Sequence, residues 1–164
     1  MAIEKVRNYF KQFGIENRIL EFNVSSATVP LAAKALNTEE GRIAKTLSFH
    51  VDNKVALIVC AGDTKVANSK YKAYFKTKAK MLSYDEAENL IGHAVGGVCP
   101  FAVKDGVEVY LDESLKRFDT VYPACGSSNS AIEMTMEELE KYSSNFVSWI
   151  DVCKIPEIEL ASGM

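Results

Sequence analysis

The 164-residue chain carries 19 basic and 22 acidic side chains, a net charge of −3, and is 48% hydrophobic and 25% charged. That length supports one domain with its own core and is short for two, and the composition is that of an ordinary folded globule. No apolar run approaches the roughly 20 residues that span a membrane, residues 1–7 lack a leader's apolar stretch, and a small negative charge excludes general attraction to nucleic acid.

The elements follow in chain order. Ile3, Val6, Phe10 and Phe13 recur at helical spacing, and Gly14 is placed to stop that helix. A short strand is expected over residues 18–23. Val29, Ala32, Ala33 and Leu36 form the stripe of a second helix, with Pro30 tolerated in its first turn. Residues 43–51 and 55–61 read as two strands joined by Asp52, Asn53 and Lys54. The second is apolar throughout, which predicts a central strand covered on both faces.

Residues 68–75 read as a helix. Ser83-Tyr84-Asp85-Glu86 is a capping box that opens another, ended by Gly92. Val107, Val109 and Leu111 alternate with Glu108 and Tyr110, predicting a half-exposed strand. Two more strands are expected over 120–126 and 131–134, separated by a polar turn. A second capping box, Thr135 to Glu138, starts a helix running to about Tyr142, and 147–152 is a last strand. The domain is expected to occupy residues 1–155, with 156–164 as a fraying tail. Helices and strands alternate too irregularly for a doubly wound sheet, leaving a single α/β or α+β domain.

Cys60, Cys99, Cys125 and Cys153 show no Cys-x-x-Cys spacing, so the chain reads as a cytoplasmic protein with reduced thiols. Two histidines, His50 and His93, and scattered cysteines offer no zinc spacing, and no metal or cofactor is expected. Cys99 or Cys125 with His93 as base is a conceivable nucleophilic pair, but neither thiol has a helix-start context that would lower its pKa.

Two stretches carry the chemistry. In the first, Lys45 falls on the same strand face as Ile43, Leu47, Phe49 and Val51, because side chains alternate with period two. An unpaired ammonium in that company costs several kcal/mol, roughly, so it needs an anionic partner, an opening, or both. Thr46 points to the opposite face. In the second, Gly96 and Gly97 let backbone N–H groups approach a ligand, Val98 and Cys99 follow, and Pro100 pre-sets the turn.

With Ala27-Thr28 leading into residues 31–36, with 43–49, with Gly96 to Phe101 and with Tyr122-Pro-Ala-Cys-Gly126, these blocks stand in an order that resembles the YbaK/prolyl-tRNA-synthetase-associated domain family. The resemblance spans residues 25–138. It implies a mixed, curved, partly barrel-like sheet of six or seven strands flanked by helices. It also implies hydrolysis of mischarged aminoacyl-tRNA, with aminoacyl-tRNA and prolyl-tRNA synthetase as partners.

Lys45 matches the family's essential lysine, and Gly96 and Pro100 match the ends of its Gly-x-x-x-Pro loop. An aminoacyl ester is already activated, so orientation, oxyanion stabilisation and a positioned water are what an enzyme must add. Lys45, Gly96 and Gly97 are the expected catalytic residues, with the loop's N–H groups as oxyanion donors. Thr28, Val29, Thr46, Val98, Cys99, Pro100, Ala124, Gly126 and Ser127 are expected around the substrate. Where the family's cysteine-editing branch carries a serine and an aspartate, this chain has Ala124 and Ala131, which leaves the edited amino acid open. Lys65, Lys70, Lys72 and Lys76, with Lys78 and Lys80, form a dense basic segment interleaved with Tyr71, Tyr74 and Phe75, suited to tRNA phosphates and base stacking. The alternative is a non-catalytic tRNA- or synthetase-binding module of the same fold.

Overall fold

The structure, a computed structural model, describes residues 2–94 and 96–156; the expected tail beyond Pro156 lies outside the described residues. The first helix, α1 (Ala2–Lys11), buries Ile3, Val6 and Phe10, and Gly14 takes the left-handed conformation (φ 71°) that turns the chain back. The first strand is shorter than expected: only β1 (Leu20–Glu21) pairs, antiparallel to β7 (Ser130–Ala131). Helix α2 (Val29–Leu36) begins where the Thr28 hydroxyl accepts the Leu31 N–H at 3.3 Å.

Strands β2 (Ile43–Val51) and β3 (Lys54–Ala61) form the expected hairpin, closed on Asp52 and Asn53, so Lys54 already belongs to the strand. β3 lies in the middle of a curled, six-stranded mixed sheet, a half-barrel of order β8-β6-β2-β3-β5-β9. Its other members are β5 (Val107–Asp112), β6 (Thr120–Pro123), β8 (Met134–Thr135) and β9 (Phe146–Ile150). β2 runs antiparallel to β3 and parallel to β6, and β5 runs parallel to both β3 and β9.

Helices cover both faces of β3. Leu57, Val59 and Ala61 pack into a core that takes Val6 and Phe10 from α1, Ala87 and Ile91 from α4 (Tyr84–Ile91) and Leu139 from α5 (Met136–Tyr142). Ala56, Ile58 and Cys60 face a second core with Phe49, Tyr110 and Tyr71, the last from α3 (Asn68–Phe75). Both capping boxes are present, at Ser83 with Glu86 and at Thr135 with Glu138.

Three expectations are corrected. β5 is buried at every position but Glu108, because β9 pairs beyond it and side chains cover both faces. The strand expected over 120–126 stops at Pro123, since Gly126 turns the chain at φ 90°. The single strand expected over 131–134 is two short pieces, β7 and β8, serving different partners. Two further strands, β4 (Lys65–Val66) and β10 (Cys153–Lys154), have no counterpart in the sequence pattern and pair only with each other. Among the described residues no helix is long and apolar enough to cross a membrane.

Candidate active site

The site follows from where two strands part. Among the described residues β6 pairs with β2 at Ile43 and Ala44 alone, and β2 meets another segment again where Phe49 bridges Met81. There the His50 N–H donates to the Lys80 carbonyl (2.8 Å) and the Leu82 N–H to the Ser48 carbonyl (3.1 Å). The peptide groups of even-numbered β2 residues therefore point away from β3, and those of Thr46 face the gap. A cavity of about 290 Å³ opens at this gap, lined by Lys45, Thr46, Leu47 and Ser48 from β2.

Lys45 is half-buried, lies opposite Cys60 on β3, and donates its ammonium to the Thr64 carbonyl. Among the described residues no carboxylate pairs with it, so the charge is accommodated by an opening and a neutral carbonyl. Thr64 is itself fixed by the turn after β3, where its hydroxyl donates to the Ala61 carbonyl at 2.7 Å. Period two alone puts Thr46 on the face away from Lys45. Because the edge is open, both neighbours line the same cavity, and the buried Thr46 hydroxyl has no hydrogen-bond partner among the described residues.

The glycine loop forms the facing wall. Gly96 (φ 99°) and Val98 line the cavity, and their N–H groups have no partner among the described residues. Gly97 differs from its expected role: its N–H donates to the Ala94 carbonyl at 3.0 Å, so it is spent on a turn. Its importance is steric, since a Cβ there would lie 2.7 Å from the Gly126 carbonyl carbon and the Ser127 nitrogen. Gly126 is thus a backing residue rather than a lining one.

Cys99 and Pro100 point the other way. Both are buried and absent from the cavity wall; the Pro100 carbonyl accepts the Ser144 N–H at 2.7 Å. The Cys99 thiol sits 3.6 Å from His93 Nε2, but that nitrogen also lies 2.7 Å from the Phe101 carbonyl, which makes it the protonated, donating one. Burial pushes the Cys99 pKa up to about 12, raises that of Cys125 well above its ordinary value, and depresses that of His93. A thiol held protonated beside a donating imidazole nitrogen has no base to activate it.

Ala27, Val29, Ala32, Ala124 and Ala131 give the cavity small apolar walls beside the larger Ile43 and Leu82. Thr28 lines the cavity too, with its hydroxyl occupied in capping α2. Ser127 stands behind the wall and bonds the hydroxyl of Ser130 at 2.6 Å, which does reach it. Tyr122, from the Tyr122–Gly126 block, also lines the cavity, and Ser130, Met81 and Tyr84 are lining residues that the sequence reading does not place at the site. Among the described residues no carboxylate or histidine lines the cavity.

The basic segment is divided. Lys70 pairs with Asp151 at 3.0 Å and donates to the Cys153 carbonyl, whereas Lys65, Lys72, Lys76, Lys78 and Lys80 make no ion pair among the described residues. The aromatic residues interleaved with them are mostly engaged with one another, and Tyr74 keeps the largest exposed surface, 45%. Tyr71 is fully buried against Phe49, and Phe75 and Tyr74 pack on each other and on Tyr110.

The uncharacterized protein YwhH of Bacillus subtilis is 52% identical over 155 residues, 94% of this chain and 98% of that one. A proline–tRNA ligase of Bacillus cytotoxicus is 31% identical over 94 residues, 57% of this chain but 16% of the ligase. The crystal structure of the hypothetical protein APE2540 superposes with a TM-score of 0.80 at 28% identity, covering 92% of this chain and 99% of that one. A crystal structure described as a candidate trans-editing enzyme for prolyl-tRNA synthetase superposes with a TM-score of 0.83 at 24% identity, covering 93% and 97%, and supports the fold. The family described as the aminoacyl-tRNA editing domain matches residues 24–142, the stretch that holds every cavity-lining residue discussed above, and this chain belongs to that family.

Proposed function

We propose that the protein is a trans-editing deacylase that hydrolyses the ester between a small, wrongly attached amino acid and the terminal ribose of a tRNA. The observation that carries this reading is the pairing of an ammonium without a carboxylate, Lys45, with an orphan buried hydroxyl, Thr46, on an open strand edge. Lys45 holds the terminal phosphate or ribose as a point charge. The free N–H groups of Gly96 and Val98 receive the carbonyl oxygen as it becomes an oxyanion; one such donor is typically worth about 10²–10³-fold in rate. Water attacks the carbonyl carbon, the ester C–O bond breaks, and the departing ribose oxygen takes a proton from the attacking water through solvent. An activated ester needs no enzymatic nucleophile, in keeping with a lining that lacks a carboxylate, a histidine and a thiol.

A cavity near the lower end of the usual ligand range of about 300–1,000 Å³ favours a small side chain. Ala124 and Ala131 remove any acid that would grip the substrate's amino group, leaving that task to the Thr46 carbonyl and the Ser130 hydroxyl. Proline–tRNA ligase relatives make tRNA for proline the first substrate to try and its synthetase the first partner, in the cytoplasm where both reside. The test is a deacylation screen against correctly and wrongly charged tRNAs. Cleavage of at least one tRNA carrying a small wrong amino acid, with the correctly charged form spared, is the expected result. Binding without cleavage across the panel would replace the deacylase with the non-catalytic module.

A further inference from the structure

Tyr84 stands directly after the Ser83 cap of α4 and lines the cavity, yet its residue surface is 76% exposed. Met81, also at the cavity, is 56% exposed. Two large apolar side chains thus stand at one mouth, uncovered by the fold. The chain just before them is pinned: Phe49 bridges Met81, and β2 holds Lys80 and Leu82 by backbone hydrogen bonds. Running back from Met81, the segment passes Lys80 and Lys78 and reaches a second cavity, of about 350 Å³, lined by Lys78 and Lys72. Three residues of chain span at most about 10 Å, so the two cavities are neighbours along this segment. Lys72, Lys78 and Lys80 have no ion-pair partner among the described residues.

The acids nearby give the track a direction. Asp85 and Glu86 open α4, and Glu86 is held by the Ser83 N–H and by His50, which together keep its carboxyl below its ordinary pKa. A polyanion approaching the mouth is repelled from the start of α4 and drawn along residues 78–80.

We propose that Tyr84 and Met81 form the platform on which the terminal base of the tRNA 3′ end stacks, and that Lys80, Lys78 and Lys72 carry the phosphates of the preceding nucleotides. This rests on the deacylase reading, and it names the part of the substrate gripped outside the amino-acid cavity. An aromatic face beside a lysine track is the general solution for single-stranded nucleic acid, because every base has a π-face and every nucleotide a phosphate. The thioether of Met81 completes the platform by packing at the ring edge.

The experiment uses the whole protein and a short single-stranded RNA ending in cytidine-cytidine-2-aminopurine, whose fluorescence reports stacking of the last base. Wild-type protein is expected to quench it on binding. Tyr84→Ala is expected to weaken binding about 10-fold or more and to remove the quenching, while Tyr84→Phe, which keeps the ring, restores both. Lys78→Glu with Lys80→Glu is expected to leave the quenching at saturation but to lower affinity and flatten its salt dependence by about 0.7 for each phosphate no longer neutralised. Absent quenching by the wild-type protein, or equal affinity and quenching by Tyr84→Ala, overturns the platform. The two readings fail separately. Quenching through Tyr84 by a protein that deacylates no charged tRNA keeps the platform and removes the deacylase. Deacylation of charged tRNA with KM unchanged in Tyr84→Ala removes the platform alone.

Discussion

Lys45 with Thr46 and His93 with Cys99 are both pairs that could do chemistry, and they lie on opposite sides of one glycine loop. The first pair lines a cavity, with an ammonium that has a carbonyl but no carboxylate partner among the described residues and a hydroxyl with no partner. The second is sealed in the core, where the imidazole donates to the Phe101 carbonyl and the thiol is held protonated. Within a few residues the chain passes from lining the cavity at Gly96 and Val98 to packing the interior at Cys99 and Phe101. Each side holds one unmet polar atom among the described residues, the Thr46 hydroxyl at the cavity and His93 Nδ1 in the core, so what separates them is access to the cavity. Reactive residue type alone points equally to both, so access to the cavity decides between them.

The sharpest way to break this contrast is Lys45→Ala. It is expected to lower kcat/KM for a wrongly charged aminoacyl-tRNA by about 100-fold or more, on the scale of losing a preorganised electrostatic contact. The melting temperature should stay level or rise, since the half-buried charge offsets little in the fold. Full activity in that variant would remove the assignment of the open edge as the reacting side.

Gly97→Ala tests the support. Its Cβ would meet backbone atoms of Gly126 and Ser127 at 2.7 Å, contacts that no side-chain rotation relieves. A loss of about 1–3 kcal/mol of stability is expected, read from denaturant unfolding, together with reduced turnover because the loop and the Ala124 wall are pushed apart. Wild-type stability would mean that the loop is slack.

The buried imidazole makes a pH prediction. Desolvation depresses the His93 pKa below its ordinary value of 6.5, although its bond to the Phe101 carbonyl acts the other way. Above about pH 6.5 the ring is neutral in both folded and unfolded chains. Below that, the unfolded chain takes up a proton that the folded one resists, so stability falls until the pH reaches the lowered folded pKa. His93→Gln keeps a donor without the titration. Its melting temperature should therefore decline less than the wild type's between about pH 6.5 and 5, as differential scanning fluorimetry would measure.

The smallest effects are expected at the thiols. Cys99→Ala and Cys125→Ala should each retain deacylation within about tenfold, because neither thiolate is accessible at neutral pH. Intact-protein mass spectrometry during turnover should find no acyl adduct. A thioester on either cysteine would move the chemistry to the sealed side.

Much of this is legible in the chain because much of it is local. Both capping boxes, the helix over residues 68–75 and the apolar run 55–61 of β3 carry their signals within a few residues of themselves. Lys45 is legible because a charge in an apolar alternation is an anomaly wherever the strand lies. Pairing is what a linear pattern does not convey. β4 and β10 are two residues long and exist only through each other, and the strand expected half-exposed at 107–111 is buried because β9 lies beyond it. Period two puts Thr46 on the far face, a rule that holds for a strand paired on both edges; the early parting of β6 brings it to the cavity. Tyr84 reads as a capping-box filler, and only its exposure in the folded chain sets it apart.

The parting of β6 from β2 also writes an alternating pattern into the amide protons of one strand. The amides of Lys45, Leu47 and Phe49 point toward β3 and are held by the centre of the sheet, while that of Thr46 faces the gap and that of His50 is held by Lys80. In deuterated water the Thr46 amide should exchange within the native state, and its neighbours only when the sheet opens. A slow-fast-slow sequence over three consecutive residues of a nine-residue strand would therefore identify the vacant edge without any substrate. Slowing at Thr46 alone, when a ligand is added, would then report directly that the edge has been filled.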